Sequence, residues 1–340
     1  MTFEEERYNR FALVREMLEV PSIIENFSSS EAVDLARIAS GKKKIFLTGE
    51  GSSRIFPAKN MIYHALKWGT PVHIVAEGAR QAADYNLADC LCLGASNSGR
   101  TREVIELFSK LSGFGHSSLY GLSATPGSLL EKKTVKTFVL TCGKENAVAA
   151  TKSVIEEALF YQALLAAISG KSGLFDNRVS LAGAARHVLE MRIPLEVIAK
   201  LKGANIIYFA GRNNGVCEEL ALKTNEITRK KSDFLEGTYA VHGIEEVMDR
   251  NEALVIVEPF EEEEEKFEET LGKKIGLPIV AISSRATLFP TIRIPHIESF
   301  DGFIQILCGW NLLVEMGIAL GIDLDKPVRA RKIGNEFSGG

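Results

Sequence analysis

Ten short apolar runs rich in branched side chains alternate with longer segments of helical periodicity along this chain. Runs of this kind predict buried strands of a parallel sheet, and the segments between them predict helices that cover it. We therefore expect an α/β fold in which a mostly parallel sheet has helices on both faces. The predicted strands are KIFLTG (44–49), PVHIVA (71–76), CLCLGAS (90–96), SSLYGLSA (117–124), KTFVLT (136–141), NIIYFAG (205–211), SDFLEG (232–237), EALVIVEP (252–259), LPIVAISS (277–284) and TIRIPH (291–296).

One pattern of strand, polar loop and helix occurs twice in the chain. KKKIFLTGEGSS (42–53) and GANIIYFAGRNNG (203–215) each contain a strand that ends in glycine and a small polar loop with a second glycine, and a helical segment follows each. Such similarity indicates duplication of one nucleotide-fold-like unit, and 340 residues accommodate two domains. We expect the chain to divide into an N-terminal helical segment (1–30), a first domain (31–175), a second domain (190–325) and a C-terminal tail (326–340).

Composition excludes several classes of partner. A net charge of -4 gives no general attraction for nucleic acid or an anionic membrane. No uninterrupted apolar run reaches 18 residues and the N-terminus is acidic, so we expect a cytoplasmic protein without a signal peptide. The stretch EEEEEKFEE (261–269) predicts a solvated helix face. The five cysteines lie in apolar runs and are expected to be reduced core residues: Cys90, Cys92, Cys142, Cys217 and Cys308.

Two loops that follow predicted strands are rich in hydroxyl groups and glycine, namely GEGSS (49–53) and SNSGRT (96–101). Ligands of open α/β sheets bind at the carboxyl ends of strands, where the amides of helix N-termini point outward. The hydroxyls of the second loop, with backbone amides freed by Gly99, therefore predict a phosphate site. The alternative is that the loop only caps the next helix, with Glu103 in its first turn.

Nucleotide cofactors fit these loops less well than a sugar phosphate does. Neither loop contains the lysine of a P-loop, and GEGSSR lacks the third glycine of the dinucleotide fingerprint. Because the chain as a whole is slightly acidic, any anion site has to be local to the loops.

The loops resemble those of the sugar isomerase (SIS) family. Nearly the whole chain, from REMLEVPSIIENF (15–27) to its tail, is similar to the isomerase half of the glucosamine-6-phosphate synthases and to stand-alone SIS deaminases. The family's SQSGET loop is matched with Asn97 in place of glutamine and Arg100 in place of glutamate, and its VASTK segment is matched with Ala150 in place of serine. The resemblance implies two tandem SIS domains of flavodoxin-like or Rossmann-like architecture. The sugar-phosphate-binding residues that it implies are Gly51, Ser52, Ser53, Ser96, Asn97, Ser98, Thr101, Val148 and Ala150.

Proton transfer between C1 and C2 of a sugar needs a base placed over both carbons, and ring opening needs a group that exchanges protons near neutral pH. ALKTNEITRKKSDFLEGTYAVHG (221–243) places Glu226 on a predicted helix and His242 sixteen positions later. Taken alone, a glutamate on a helix is more often solvated, and a histidine before glycine is more often structural.

The resemblance assigns roles to these residues. The family pattern K-x-x-E followed by HG is matched at Lys223, Glu226 and His242. It implies that Glu226 carries the proton, that His242 assists ring opening, and that Lys223 influences the charge of the site. The tail DLDKPVRARKIGNEFSGG (323–340) is similar to the family's closing loop, and its Lys332 matches a lysine associated with ring opening. The intervening VRAR departs from the family's RNLA.

The resemblance further implies the reaction. Residue 2 is threonine rather than the cysteine of a glutaminase, so glutamine is not expected to supply nitrogen. We expect a glucosamine-6-phosphate deaminase or isomerase that gives fructose 6-phosphate and needs neither metal nor redox cofactor. The alternatives are a fructosamine-6-phosphate deglycase, a plain phosphosugar isomerase and a non-catalytic sugar-phosphate sensor. A homodimer with shared active sites, in which the neighbouring subunit lends the histidine, is also implied.

Overall fold

The computed structural model describes residues 1–171, 173–329, 336 and 337. These residues divide into two compact units. The first unit consists of Ser22–Asn146 and Ala150–Val179 together with Glu336 and Phe337. The second unit consists of Met1–Pro21, Ala147–Ala149 and Ser180–Arg329.

Each unit contains one five-stranded sheet, and all strand pairs are parallel. The ten strands confirm the ten runs predicted from sequence. They are β1 Lys44–Gly49, β2 His73–Gly78, β3 Cys90–Ala95, β4 Leu119–Ser123 and β5 Lys136–Val139 in the first unit, and β6 Ile206–Gly211, β7 Lys231–Glu236, β8 Ala253–Val257, β9 Ile279–Ser283 and β10 Thr291–Arg293 in the second.

Helices connect and cover the strands, as the helical periodicity between the apolar runs predicts. Short 3₁₀ turns lie at Gly51–Ser53, Glu131–Lys133, Leu174–Asn177, Tyr239–Val241, Ile244–Val247 and Glu261–Glu263, and a π-helix at Glu268–Ile275. The α-helices are α1 Glu6–Asn9, α2 Ala12–Asn26, α3 Ser30–Ala39, α4 Ile55–Trp68, α5 Ala79–Ala82, α6 Arg102–Gly113, α7 Lys152–Ile168, α8 Arg178–Glu190, α9 Leu195–Gly203, α10 Val216–Thr228, α11 Glu264–Phe267 and α12 Asp301–Ala319.

The two sheets have the same strand order. It is β2-β1-β3-β4-β5 in the first unit and β7-β6-β8-β9-β10 in the second when read from the corresponding edge. β3 and β8, the central strands, are buried along their whole length because they are paired on both sides and covered by helices. The two units therefore share one strand order, as the repeated sequence pattern predicts.

The five cysteines are free and buried, which confirms the prediction from their apolar surroundings. Burial raises the pKa of Cys92 to about 12, so its thiol stays protonated at neutral pH. These side chains act as small apolar core groups.

The most apolar helix of the chain is α12, which is long and apolar enough to cross a membrane by length and composition. In this structure 83% of the apolar stretch of this helix is buried inside the protein, as in a core helix. Gly309 lets it approach α10 closely, because a Cβ at this position would lie 2.4 Å from Leu220 Cδ2. The length of the apolar run is thus explained by packing within the second unit.

Most of the acidic stretch 261–269 is exposed to solvent, as predicted, but one of its glutamates is buried. The stretch forms a 3₁₀ turn, α11 and the start of the π-helix, but Glu264 is only 4% exposed rather than solvated. Its carboxylate lies 2.5 Å from the guanidinium of Arg285 and accepts the amide of Leu288 at 2.8 Å. A buried carboxylate requires partners of this kind, and both come from a segment more than twenty positions later.

Candidate functional site

The loop Ser96–Thr101 leaves the carboxyl end of β3 and leads into α6. Ser96 Oγ lies 2.7 Å from Thr101 Oγ1 and accepts the amide of Thr101 at 3.3 Å. Ser98 Oγ accepts the amide of Arg100 at 3.2 Å. Thr101 occupies the N-cap position of α6, but its hydroxyl makes no capping hydrogen bond to the helix. The serine hydroxyls thus accept amides of the loop immediately before α6, whereas the hydroxyl of Thr101 does not cap the helix.

Gly99 is required by the shape of this loop. Its φ is +60°, and a Cβ there would lie 2.3 Å from Cβ of Ser128 and 2.4 Å from its Oγ. The carbonyl of Gly99 also accepts the amide of Leu130 at 3.0 Å. The loop is thus pressed against the segment that follows β4, where a side chain at position 99 has no room.

The GEGSS loop leaves β1, the neighbour of β3, at the same edge of the sheet. Gly51, Ser52 and Ser53 form a 3₁₀ turn before α4, and Ser52 is buried. The sequence analysis did not single out Glu50, whose carboxylate accepts the amide of Ala79 at 2.9 Å. Desolvation raises the pKa of Glu50 above its usual range.

Glu145 was also missed by sequence analysis. It is fully buried, and its carboxylate accepts Asn97 Nδ2 at 2.9 Å and the amide of Thr151 at 2.8 Å. It further accepts the amide and hydroxyl of Ser153, at 3.3 and 2.8 Å. The side chain therefore connects the SNSGRT loop with the start of α7. Of the two other predicted residues of this segment, half-buried Ala150 belongs to the first unit and half-buried Val148 to the second.

The described part of the C-terminal tail contacts the SNSGRT loop. The amide of Phe337 donates to the carbonyl of Arg100 at 3.0 Å, and Glu336 forms a β-bridge with Thr101. The carboxylate of Glu336 lies 3.4 Å from the guanidinium of Arg100. Lys332, predicted to act in ring opening, lies outside the described residues.

In the second unit, α10 carries a buried cation between two carboxylates. Lys223 Nζ lies 2.8 Å from Glu226 Oε2 and 3.2 Å from Glu219 Oε1. The side chains of Lys223 and Glu219 are fully buried, whereas that of Glu226 is 28% exposed. Glu219 was missed by sequence analysis, although its spacing of four positions from Lys223 is the spacing of helical ion pairs.

The electrostatics of this group keep Lys223 charged. Burial alone would lower the pKa of Lys223, but the carboxylates of Glu226 and Glu219 more than reverse this and raise it above its ordinary value. Because the pKa of Lys223 is higher in the folded than in the unfolded protein, its protonation stabilises the folded state. This stabilisation is fully present at neutral pH and is lost only as the pH rises above about 10.5.

His242 follows the 3₁₀ turn Tyr239–Val241 in the second unit, and its side chain is exposed. Its Nε2 lies 3.5 Å from Lys266 Nζ. The ring is therefore held near a cation on α11 and remains accessible in the single chain.

The second sheet does not repeat the phosphate-type loop. Ser96 and Glu258 are in corresponding positions, because their amides donate to Leu122 of β4 and Ile282 of β9 in the same way. Glu258 Oε2 accepts the hydroxyl of Ser283 at 3.2 Å, and its Oε1 accepts the next amide along the chain at 2.5 Å. A carboxylate of the protein thus uses the donors at this edge, and a phosphate would meet a negative charge there.

We predict that Gly99→Ala destabilises the protein far more than Gly127→Ala. Both glycines have positive φ, which costs roughly 1–2 kcal/mol for a residue with a Cβ. Position 127 has open space around it, whereas the added Cβ at 99 meets Ser128, so we expect a total loss of about 3 kcal/mol or more. Chemical denaturation measures both variants, and equal losses would contradict the packing argument.

We predict that Lys223→Met lowers the free energy of unfolding by about 3–5 kcal/mol, because it removes the cation beside a fully buried carboxylate. The loss should be smaller at pH 5 than at pH 8, since the folded variant then holds a proton on that carboxylate more readily than the unfolded chain does. Lys273→Met, which removes an exposed ion pair with Glu269, is the control and should change little. A loss independent of pH would contradict this account.

Comparison with known proteins identifies the first unit. A family model described as SIS domain matches residues 38–167. Glutamine–fructose-6-phosphate aminotransferase [isomerizing] of Bacillus subtilis (strain 168) is 27% identical over an alignment of 235 positions that covers 64% of this chain and 38% of that protein. The chain therefore spans less than two fifths of the length of this curated relative.

Two solved structures share the fold. The C-terminal domain of glucosamine-fructose-6-phosphate aminotransferase from Francisella tularensis has a TM-score of 0.77 at 18% identity, and covers 95% of this chain and 100% of its own. Glucosamine-6-phosphate deaminase from Thermotoga maritima has a TM-score of 0.74 at 21% identity, and covers 96% of this chain and 99% of its own. From residue 38 to residue 167 the chain is a SIS domain, homologous to the aminotransferase.

Proposed function

We propose that the protein is an aldose–ketose isomerase of amino-sugar 6-phosphates, and specifically a glucosamine-6-phosphate deaminase that gives fructose 6-phosphate and ammonia. The observation that carries this proposal is the pair Lys223–Glu226, in which a fully buried ammonium holds a partly exposed carboxylate at 2.8 Å. Such a pair fixes the orientation of one acid, as a proton shuttle requires. The homology of the SIS domain to an aminotransferase of fructose 6-phosphate supports the choice of substrate class.

The proposed reaction needs only water besides the sugar. In the opened aldose, Glu226 removes the proton on C2 while the oxygen on C1 accepts a proton, which gives an enolamine. Glu226 then returns the proton to C1, and the nitrogen on C2 becomes an imine as it releases one proton to water, which balances the proton taken up by the oxygen on C1. Water adds to C2 and ammonia leaves, so glucosamine 6-phosphate and one water give fructose 6-phosphate and ammonia.

The remaining predicted residues take the roles that the family pattern gives them. Lys223 orients Glu226, His242 assists ring opening, and Lys332 contributes from the tail. The contacts of Glu336 and Phe337 with the SNSGRT loop support a tail that lies over the phosphate end of the site. The residues proposed to hold the sugar phosphate are Gly51, Ser52, Ser53, Ser96, Asn97, Ser98, Thr101, Val148 and Ala150.

We also propose a second SIS domain in the second unit and a homodimer with shared sites. The equal strand order of the two sheets supports the former. The exposed ring of His242, flanked by Tyr239 at 48% and Val247 at 71% exposure, supports a contact of this surface with a second copy.

Five buried free cysteines fit a reducing cytoplasm.

We predict that the protein releases ammonia and fructose 6-phosphate in equal amounts from glucosamine 6-phosphate. Glu226→Gln should lower turnover by about 10²–10⁴-fold and leave fructose 6-phosphate binding intact, because only the proton shuttle is lost. Glu196→Gln, an exposed position on α9, is the control and should be fully active. Coupled assays of ammonia and of the ketose phosphate measure the yields.

Parallel incubations decide between the proposal and its alternatives. Galactosamine 6-phosphate tests the sugar, and fructosyl-amino-acid 6-phosphates test the leaving group. Free amino acid from the latter, with no ammonia from glucosamine 6-phosphate, would show a deglycase. Tight binding of sugar phosphates without any product would show a sensor.

We predict that co-expressed Glu226→Ala and His242→Ala chains complement each other. Each variant alone should be inactive, whereas random pairing should restore about a quarter of wild-type activity, because half of the dimers are hybrids with one intact site. Co-expression of Glu226→Ala with Glu226→Gln is the control and should stay inactive. Failure of the first pair to recover any activity would refute the shared site.

A further inference from the structure

We propose that Glu145 is a positioning residue of the sugar-phosphate site. We further propose that Asn97, named above among the residues that hold the sugar phosphate, contributes through its bond to Glu145 rather than by contact with the sugar phosphate. This inference rests on the proposed function, because it assumes that the SNSGRT loop holds the phosphate. The structure supplies the geometry: one carboxylate bonds to Asn97 of the SNSGRT loop and to Thr151 and Ser153, which directly follow the proposed contact residue Ala150.

Glu145 is a buried carboxylate that is surrounded by hydrogen-bond donors. It is fully buried, so its charge depends on hydrogen-bond donors for its stability. Two of these donors are backbone amides, of Thr151 at 2.8 Å and of Ser153 at 3.3 Å, at the N-terminus of the seventeen-residue helix α7. The positive end of that helix favours a negative charge at this place.

Asn97 is held both by its backbone carbonyl and by its side-chain amide, and the backbone carbonyl has three donors. Its carbonyl accepts Ser123 Oγ at 3.2 Å, the amide of Ala124 at 3.1 Å and Thr125 Oγ1 at 3.1 Å. Its side-chain amide donates to Glu145 Oε2 at 2.9 Å. Asn97 therefore ties the loop to the end of β4 and, through Glu145, to the start of α7.

Glu145 can affect phosphate binding through its negative charge or through the hydrogen bonds that hold the loop, and these two roles predict opposite effects of Glu145→Gln on affinity. A buried negative charge close to a phosphate loop opposes the binding of a phosphate, so its neutralisation alone would strengthen binding. If the carboxylate instead holds the loop in place, glutamine weakens binding, because its amide nitrogen cannot accept the bonds that a carboxylate oxygen accepts. The sign of the change in affinity separates the two.

Glu156 offers a matched control in the same unit. Its carboxylate is also buried, at 3% exposure, and it accepts the amide and hydroxyl of Thr141 and the amide of Cys142. It makes these bonds to the segment after β5 and not to the SNSGRT loop. Glu156→Gln thus makes the same chemical change at similar burial.

The test is calorimetric titration of fructose 6-phosphate into the full chain and its variants. We predict that Glu145→Gln raises the dissociation constant about tenfold or more, while Glu156→Gln changes it by less than about twofold, although both lower the melting temperature. Asn97→Ala should also weaken binding. The double variant Asn97→Ala with Glu145→Gln should bind no more weakly than Glu145→Gln alone, because the two residues act through one bond.

Unchanged or tighter binding by Glu145→Gln, while the wild type binds, would overturn this inference and leave the proposed function standing. Additive losses in the double variant would overturn the part played by Asn97. Should Glu145→Gln not fold, Glu145→Asp replaces it in the titration, because aspartate keeps the charge and shortens the reach, and weaker binding is again expected. A wild-type protein that binds no fructose 6-phosphate would overturn the proposed function and this inference with it.

Discussion

The placement of β3 between β1 and β4 is the constraint on which the candidate phosphate site depends. A central parallel strand is buried on both faces, so the chain that follows it has to leave at the carboxyl edge of the sheet and enter a helix there. β1 brings the GEGSS loop to the same edge, and β4 brings the segment against which Gly99 is pressed. Strand order, rather than any local sequence, thus assembles the loops.

The second sheet shows that this scaffold does not by itself make a phosphate site. Its central strand β8 leaves at the same edge, but Glu258 stands where the first sheet has Ser96. Glu258 has a φ of 45°, an uncommon conformation for a residue with a side chain, and bonds to Ser283 and the next amide hold it there. The second unit therefore has the strand order of the first but carries a carboxylate where the first has the hydroxyl of Ser96.

Sequence patterns predicted the strands and the two loops because those signals are local. A run such as CLCLGA indicates a buried strand through its own residues, and glycine with serine indicates the loop that follows. Glu145 has no such local signal: it lies between lysine and asparagine in a polar stretch, and its partner Asn97 is 48 positions away. The burial of Glu264 within a mostly solvated acidic stretch was missed for the same reason, since it depends on Arg285. Carboxylates whose partners come from distant segments are hidden from pattern analysis.

The charges at the SNSGRT loop indicate how an anion can be held without a dedicated cation. Arg100 is the one basic residue of that loop; its side chain is half exposed, and its guanidinium lies 3.4 Å from the carboxylate of Glu336 of the tail. In the proposed site the hydroxyls and backbone amides of the loop hold the phosphate, and such hydrogen bonds are directional and lose strength when the loop shifts by a fraction of an ångström. The affinity of an anion site made of neutral donors therefore depends more strongly on the position of the loop than the affinity of a cluster of lysines would. A buried carboxylate that fixes the loop, at the expense of some repulsion, is consistent with that dependence.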